Sequence, residues 1–204
     1  LRLRCVATST GTTRLAAEAG VPLESLEALG RLDLTVDGAD EIDPDLTLIK
    51  GGGAALLQEK IVAAASDRLV IVADAEKRVA ALGAFPLPVE IVRFGWPVTR
   101  AAVEALLATA DVDGRDVTLR EHGGGALATD EGHHILDLRL GRIGDPRGLA
   151  SGLNAIPGVV EHGLFIGLAE LALIGHADGR VEAVLPAGDG RSDYIAEDMR
   201  GLDA

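Results

Sequence analysis

Residues 34–65 read LTVDGADEIDPDLTLIKGGGAALLQEKIVAAA, and both the fold and the chemistry follow outward from them. Two apolar runs, LTV and LTLI, bracket five carboxylates in nine positions: Asp37, Asp40, Glu41, Asp43 and Asp45. Lys50, three consecutive glycines and a helical pattern from about Gly53 to Ser66 come next. Short apolar runs rich in β-branched residues, each ended by a polar side chain, read as buried strands. The acids are bracketed by segments expected to be buried, with Glu41, Asp43 and Asp45 themselves expected as turn and surface residues.

The flanks repeat the pattern. Residues 2–7 (RLRCVA) alternate and then run apolar, which predicts a strand that includes Cys5 as a packing residue. Thr8, Ser9, Thr10 and Gly11 follow, with a helix over 12–19 ending at Gly20 and a short connection over 21–31. LVIVA (69–73) is a further strand that ends at Asp74, with Lys77 just beyond. Four apolar runs therefore end at Thr8 to Thr10, Asp37, Lys50 and Asp74. In open α/β sheets ligands bind beyond the carboxyl ends of the strands. If the four are parallel neighbours, as the intervening helices suggest, these side chains converge on one edge.

From residue 86 the texture changes. FPLPVEIVRF, a helix over 98–109, strands over 116–121 and 133–138, a helix over 146–155 and a strand over 158–163 give the order β-α-β-β-α-β. Runs at 168–175 and 180–185 then rejoin the first sheet. The expected fold class is α/β: an open, mainly parallel sheet with helices on both faces, plus a smaller ferredoxin-like (β-α-β-β-α-β) α+β domain. Residues 1–86 and 165–186 would form a Rossmann-like catalytic domain, 87–164 the small domain, and 187–204 a peripheral C-terminal tail.

Composition narrows the function. Hydrophobic residues make up 48% of the chain but aromatics only 2%, so the core is built of Val, Ile, Leu and Ala, which suits a buried parallel sheet. A net charge of -13 leaves no basic stripe for nucleic acid. A small anionic substrate remains compatible, because a pocket can be positive within a negative field. One cysteine allows no intramolecular disulfide and fits a reducing, cytoplasmic setting. No apolar run approaches the length of a membrane helix. Of 19 basic residues only three are lysines, Lys50, Lys60 and Lys77, and all lie between positions 50 and 77. A compact ammonium enters a tight pocket where an arginine fork does not.

Lys50-Gly51-Gly52-Gly53 ahead of a helix suits an anion or a developing oxyanion, since glycine lets backbone N–H groups approach closely. A tight strand-to-helix turn needs the same glycines, and the P-loop order G-x-x-x-x-G-K-[ST] is absent. Glu59, on the following helix, is either a solvated residue or a general base whose pKa partial burial would raise. Asp37 and Asp40 could exchange protons with substrate hydroxyls, or cap the next turn. As metal ligands the acids lack the calcium-loop spacing, and His122, His133, His134, His162 and His176 form no ligand pattern.

DGADEID, LIKGGGAALLQEKI, IVADAEK, FPLPVEI and NAIPGVVEHGLF together resemble the ribose-5-phosphate isomerase type A family over residues 5–186. The resemblance implies interconversion of ribose 5-phosphate and ribulose 5-phosphate in the pentose phosphate pathway, with no metal or organic cofactor. Residue by residue it implies that Glu59 is the base acting through an enediolate. It gives Asp37 the hydroxyl protons, with Asp40 in support, and Lys50 with Gly51, Gly52 and Gly53 the enediolate oxygen. Gly38 and Ala39 would line the substrate, Lys77 would lie near its phosphate, and a homodimer is the expected assembly. The family's phosphate-gripping G-x-G-[ST]-x-[ST] loop belongs ahead of Leu1, so a fragment without it should hold sugar phosphate poorly. Two other functions compete: a non-catalytic sugar-phosphate sensor, and a metal-dependent phosphoryl-transfer enzyme using Asp37 and Asp40. Turnover in chelator separates the isomerase from the second, and a Glu59→Gln variant that binds without turnover separates it from the first.

Overall fold

The structure, a computed structural model, describes residues 3–187. In chain order its elements are α1 (Thr10–Glu18), α2 (Leu26–Leu29), β1 (Thr35–Asp37), β2 (Glu41–Ile42), β3 (Leu48–Ile49) and α3 (Leu56–Ala64). Next come β4 (Leu69–Asp74), a 3-10 turn (Ala75–Lys77), β5 (Leu87–Ile91), α4 (Trp96–Leu107), β6 (Asp116–Leu119), β7 (Glu121–His122) and β8 (Gly125–Ala126). The series ends with β9 (His134–Arg139), α5 (Pro146–Asn154), β10 (Val159–His162), β11 (Leu164–Phe165), β12 (Leu171–Gly175) and β13 (Val181–Val184).

The main sheet has the order β1-β4-β12-β13, with β1, β4 and β12 parallel and β13 antiparallel at the edge. Strands 171–175 and 181–184 thus rejoin the first sheet, as their apolar runs predict. The second sheet has the order β10-β5-β9-β6, antiparallel throughout, with α4 and α5 as its helices. This is the ferredoxin-like arrangement that the β-α-β-β-α-β order implies. A tight hairpin of β7 and β8 projects from it, with Gly123 and Gly124 at positive φ making the turn.

Two expectations about the first sheet are corrected. LTLI does not join it as a parallel neighbour. Asp43 Oδ1 accepts hydrogen bonds from Asp45 N (2.9 Å) and Thr47 N (2.8 Å), and Leu46 takes φ 54, so the chain reverses between the two runs. β2 and β3 then pair antiparallel, and with β11 they make a separate three-stranded sheet. Alternation along β3 puts Leu48 in the core under the main sheet and Ile49 in the core of the ferredoxin-like sheet, so this small sheet joins the two cores. The second correction concerns residues 2–7. From Leu3 onward they form no strand, only a single parallel bridge from Cys5 to Leu23 and a hydrogen bond from Glu24 N to Cys5 O. A cleft of about 600 Å³ separates them from 29–36, so β1 offers them no ladder.

No helix among the described residues is long and apolar enough to cross a membrane. The expectation for the tail falls, from residue 188 on, outside the described residues.

Candidate active site

Asp37 is the last residue of β1, and its Oδ1 accepts a hydrogen bond from Gly38 N at 2.8 Å as the chain leaves the sheet. Asp40 is tied back to the end of β3 by its own N–H, which donates to Ile49 O at 2.8 Å. Beyond β3, Lys50 N donates to Gly163 O at 2.9 Å, and the position of Gly163 allows no larger residue: a Cβ there would sit 2.3 Å from Lys50 O. Parallel pairing of β1 with β4 and an antiparallel hairpin thus deliver Asp37 and Lys50 to one place by different routes.

The Lys50 ammonium is 4% exposed at its side chain and donates to Gly38 O at 2.7 Å. It lies 2.9 Å from Asp37 Oδ2, 3.1 Å from Glu59 Oε2 and 5.4 Å from the centroid of the Phe165 ring. Both carboxylate oxygens are buried and meet the ammonium as ion pairs, off the directions of a good hydrogen bond. Glu59 sits in the first turn of α3. Burial pushes its pKa above the ordinary carboxylate value; the Lys50 charge opposes this, and Asp37 and Asp40 reinforce it. One cation shared by two buried carboxylates therefore leaves a base that takes up a proton more readily than an exposed glutamate.

The glycines close the site. Asp40 Oδ2 accepts a hydrogen bond from Gly52 N at 2.8 Å, and a Cβ on Gly52 would press against that carboxylate at 2.7 Å. Gly51 adopts φ 105, and a Cβ there would meet Leu56 Cδ2 at 2.7 Å, so the turn into α3 requires glycine on both counts. Gly52 and Gly53 are exposed and Ala39 is half-buried against the core of the main sheet. Lys77 follows the end of β4, at the same edge of the sheet as Asp37. Among the described residues its ammonium makes no ion pair or side-chain hydrogen bond.

The acid cluster divides differently from the reading that makes Glu41, Asp43 and Asp45 turn and surface residues. Asp43 and Asp45 do form the turn. Glu41 is buried, and its carboxylate accepts hydrogen bonds from Gly83 N (2.7 Å) and Phe85 N (2.6 Å), pinning the loop that leads into β5. Alternation along a two-residue strand carries no signal for this. Among the described residues no three His, Cys, Asp or Glu side chains are grouped as metal ligands.

Two contacts with the ferredoxin-like sheet escape the sequence. Lys60 Nζ donates to Glu161 Oε1 (2.7 Å) and His162 O (2.6 Å) and lies 4.9 Å from the Phe165 centroid, fastening α3 to β10. Burial lowers the Lys60 pKa, with Glu161 opposing. Arg120, just after β6, donates to the carbonyls of Gly51 (2.8 Å) and Gly52 (3.1 Å). The alternation of DVTLRE places Arg120 on the face opposite Val117, and that is all it says.

The family model for ribose 5-phosphate isomerase A (phosphoriboisomerase A) matches residues 4–179. The chain is 59% identical over 181 residues to ribose-5-phosphate isomerase A of Cereibacter sphaeroides, covering 89% of this chain and 72% of that one. Among solved structures it is similar to the ribose 5-phosphate isomerase of Plasmodium falciparum, with TM-score 0.83, 35% identity, and 90% and 78% of the two chains covered. It is also similar to a D-ribose-5-phosphate isomerase in complex with phospho-erythronic acid, with TM-score 0.79, 34% identity, and 89% and 77% covered. The chain belongs to the ribose 5-phosphate isomerase A family.

Proposed function

We propose that the protein interconverts ribose 5-phosphate and ribulose 5-phosphate, with Glu59 as the base and Lys50 as the charge that stabilises the enediolate. The observation that carries this reading is the Lys50 ammonium 3.1 Å from Glu59 Oε2, beside a carboxylate whose pKa burial raises. Proton abstraction next to a carbonyl needs a base poised toward neutrality and a preorganised positive group where the oxyanion forms.

In the open-chain aldose, Glu59 takes the proton from C2. The C–H electron pair becomes the C1–C2 double bond, and the carbonyl pair moves onto O1 as an oxyanion that Lys50 and the Gly51–Gly53 loop stabilise. Asp37 accepts the O2 proton and returns a proton to O1, while protonated Glu59 delivers its proton to C1. Asp40 keeps the loop in place through Gly52 N, Gly38 and Ala39 line the substrate, and Lys77 faces its phosphate. No oxidant or cofactor enters the balance.

The same reading assigns the main-sheet residues 1–86 and 165–186 to a catalytic unit and 87–164 to a supporting one, each with its own core. It takes the protein to be a cytoplasmic homodimer. Exposed Phe94, just before α4, and exposed Val98, in its first turn, support a contact between copies.

Replacing Glu59 by Gln tests the assignment. Ribose 5-phosphate turnover should fall by about 10²-fold or more, while sugar-phosphate binding by calorimetry stays within a few-fold. A Gln variant that isomerises near the parent rate removes Glu59 from the mechanism.

A further inference from the structure

The Gly51–Gly52 peptide is gripped at both ends. Its N–H donates to Asp40 Oδ2 (2.8 Å), and its carbonyl accepts from Arg120 Nη1 (2.8 Å). The same Nη1 reaches the next carbonyl, Gly52 O, at 3.1 Å. Every peptide here is trans, so each carbonyl points opposite to the N–H that follows it. Fixing Gly52 O on the Arg120 side therefore turns the Gly53 N–H to the other side. Among the described residues nothing accepts a hydrogen bond from that N–H. Gly53 is exposed, and a Cβ on it would meet no atom within 4 Å, so the space in front of this donor is open.

Arg120 is itself held. Its Nε donates to Asp137 Oδ2 at 2.9 Å and its Nη2 to Asp137 Oδ1, a two-point fork that fixes the plane of the guanidinium. The two side chains are 14% and 17% exposed, so this pair is largely shielded from water. Asp137 lies on β9, paired with Thr118 of β6, so both members belong to the ferredoxin-like sheet. Only a planar group with donors on several edges can bind a carboxylate with one edge and two carbonyls with another.

We propose that Arg120, oriented by Asp137, is a positioning residue that aims the Gly53 N–H at the oxyanion formed during the isomerisation. The inference rests on the isomerase reading and adds a task for the small sheet: it sets the geometry of the oxyanion donor without touching the substrate. Without Arg120, Gly52 O loses its donor and Gly51 O keeps only the Ala54 N–H (3.0 Å), so the Gly52–Gly53 peptide samples other orientations and the Gly53 donor is preorganised for only part of the time. The loss should fall on the transition state, since a ground-state carbonyl gains little from such a donor.

Three variants test this: Arg120→Met, Arg120→Lys and Asp137→Asn, each confirmed as folded by circular dichroism and a cooperative melt. Arg120→Met should lower kcat by about 10–100-fold, less than loss of an oxyanion donor outright, with KM for ribose 5-phosphate within about 3-fold. Inhibition by phospho-erythronic acid, whose planar carboxylate copies the charge of the enediolate, should weaken by about the factor that kcat/KM loses. Arg120→Lys should fall between, and Asp137→Asn should show a smaller loss in kcat. If Arg120→Met does not fold, Asp137→Asn decides by the same criteria. The proposal is overturned if kcat stays within about 2-fold, if the loss lies in KM alone, or if analogue inhibition is unchanged while kcat falls. A parent enzyme that binds ribose 5-phosphate without isomerising it would overturn the isomerase reading instead, and the two failures are distinct.

Discussion

Lys50 Nζ lies 3.1 Å from Glu59 Oε2 and 2.9 Å from Asp37 Oδ2, so a single ammonium stands between two buried carboxylates. Its charge opposes the burial that raises the Glu59 pKa. Lys50→Met removes that opposition, and the acid limb of kcat/KM should move to higher pH. The same change removes the charge that steadies the oxyanion, so kcat should drop by about 10²–10³-fold. Leaving two buried carboxylates without a cation should also cost stability, on the order of 3–5 kcal/mol. A pH–rate profile and a urea titration measure both, and an unmoved acid limb would separate Lys50 from the base.

Glu59 should weaken the fold at the pH where it works. Its folded pKa lies above the ordinary value of 4.5, so the stability linked to this group is complete below that value. It is lost as pH rises through the folded pKa, because the ionised form is the one that burial disfavours. Glu59→Gln has no charge to bury. Its melting temperature should match the parent near pH 4.5 and exceed it by a few degrees at pH 8. Equal melting temperatures at both values of pH would contradict the burial argument.

Much of this was legible in the chain because the relevant signals are local. Apolar runs of strand length gave β4, β5, β9 and β12, and the β-α-β-β-α-β order gave the second sheet with its connectivity. Asp37 and Lys50 stand out because each ends such a run, whereas Glu59 is singled out by the family resemblance, its helix position leaving a solvated residue equally open. What stayed hidden depends on how segments distant in sequence meet. The turn at Asp43 that removes LTLI from the parallel sheet rests on one side-chain oxygen bonding two backbone amides. Arg120 reaches the glycine loop across 69 residues of sequence, and no periodicity encodes that span.

Glu41 offers a test of structure without chemistry. Its carboxylate accepts the N–H groups of Gly83 and Phe85 from a buried position. In Glu41→Gln the amide can accept only one of them and sets its own donors against the other. The expected loss is about 2–4 kcal/mol by urea denaturation, with kcat nearly unchanged. A variant as stable as the parent would show that the loop before β5 is held by its apolar contacts alone.

Phe94 is 92% exposed and Val98 76%, beside a half-buried Trp96. In the proposed homodimer these exposed apolar side chains form the contact between copies. Phe94→Glu should turn a dimer into a monomer by sedimentation velocity while circular dichroism stays unchanged. An unaltered sedimentation coefficient would move the contact elsewhere.

His162 should stay neutral far into acid. Burial and then the neighbouring Lys60 charge lower its pKa from 6.5 to about 4, while Glu161 pulls the other way. Its Nδ1 accepts the Leu164 N–H at 3.2 Å, which places the proton on Nε2, a buried atom with no hydrogen-bond partner among the described residues and with Glu161 Oε1 at 3.8 Å. In the unfolded chain the imidazole takes a proton below about 6.5, whereas in the fold it does so only near 4. The stability from this group is therefore complete above 6.5 and drains away as pH falls toward 4. His162→Asn keeps an acceptor for Leu164 N–H and removes the titration, so its stability should fall less steeply across that window. In Lys60→Met the cation is gone, and the His162 titration followed by NMR should move toward ordinary values. A His162 resonance that titrates near 6.5 in the parent would refute the buried, neutral assignment.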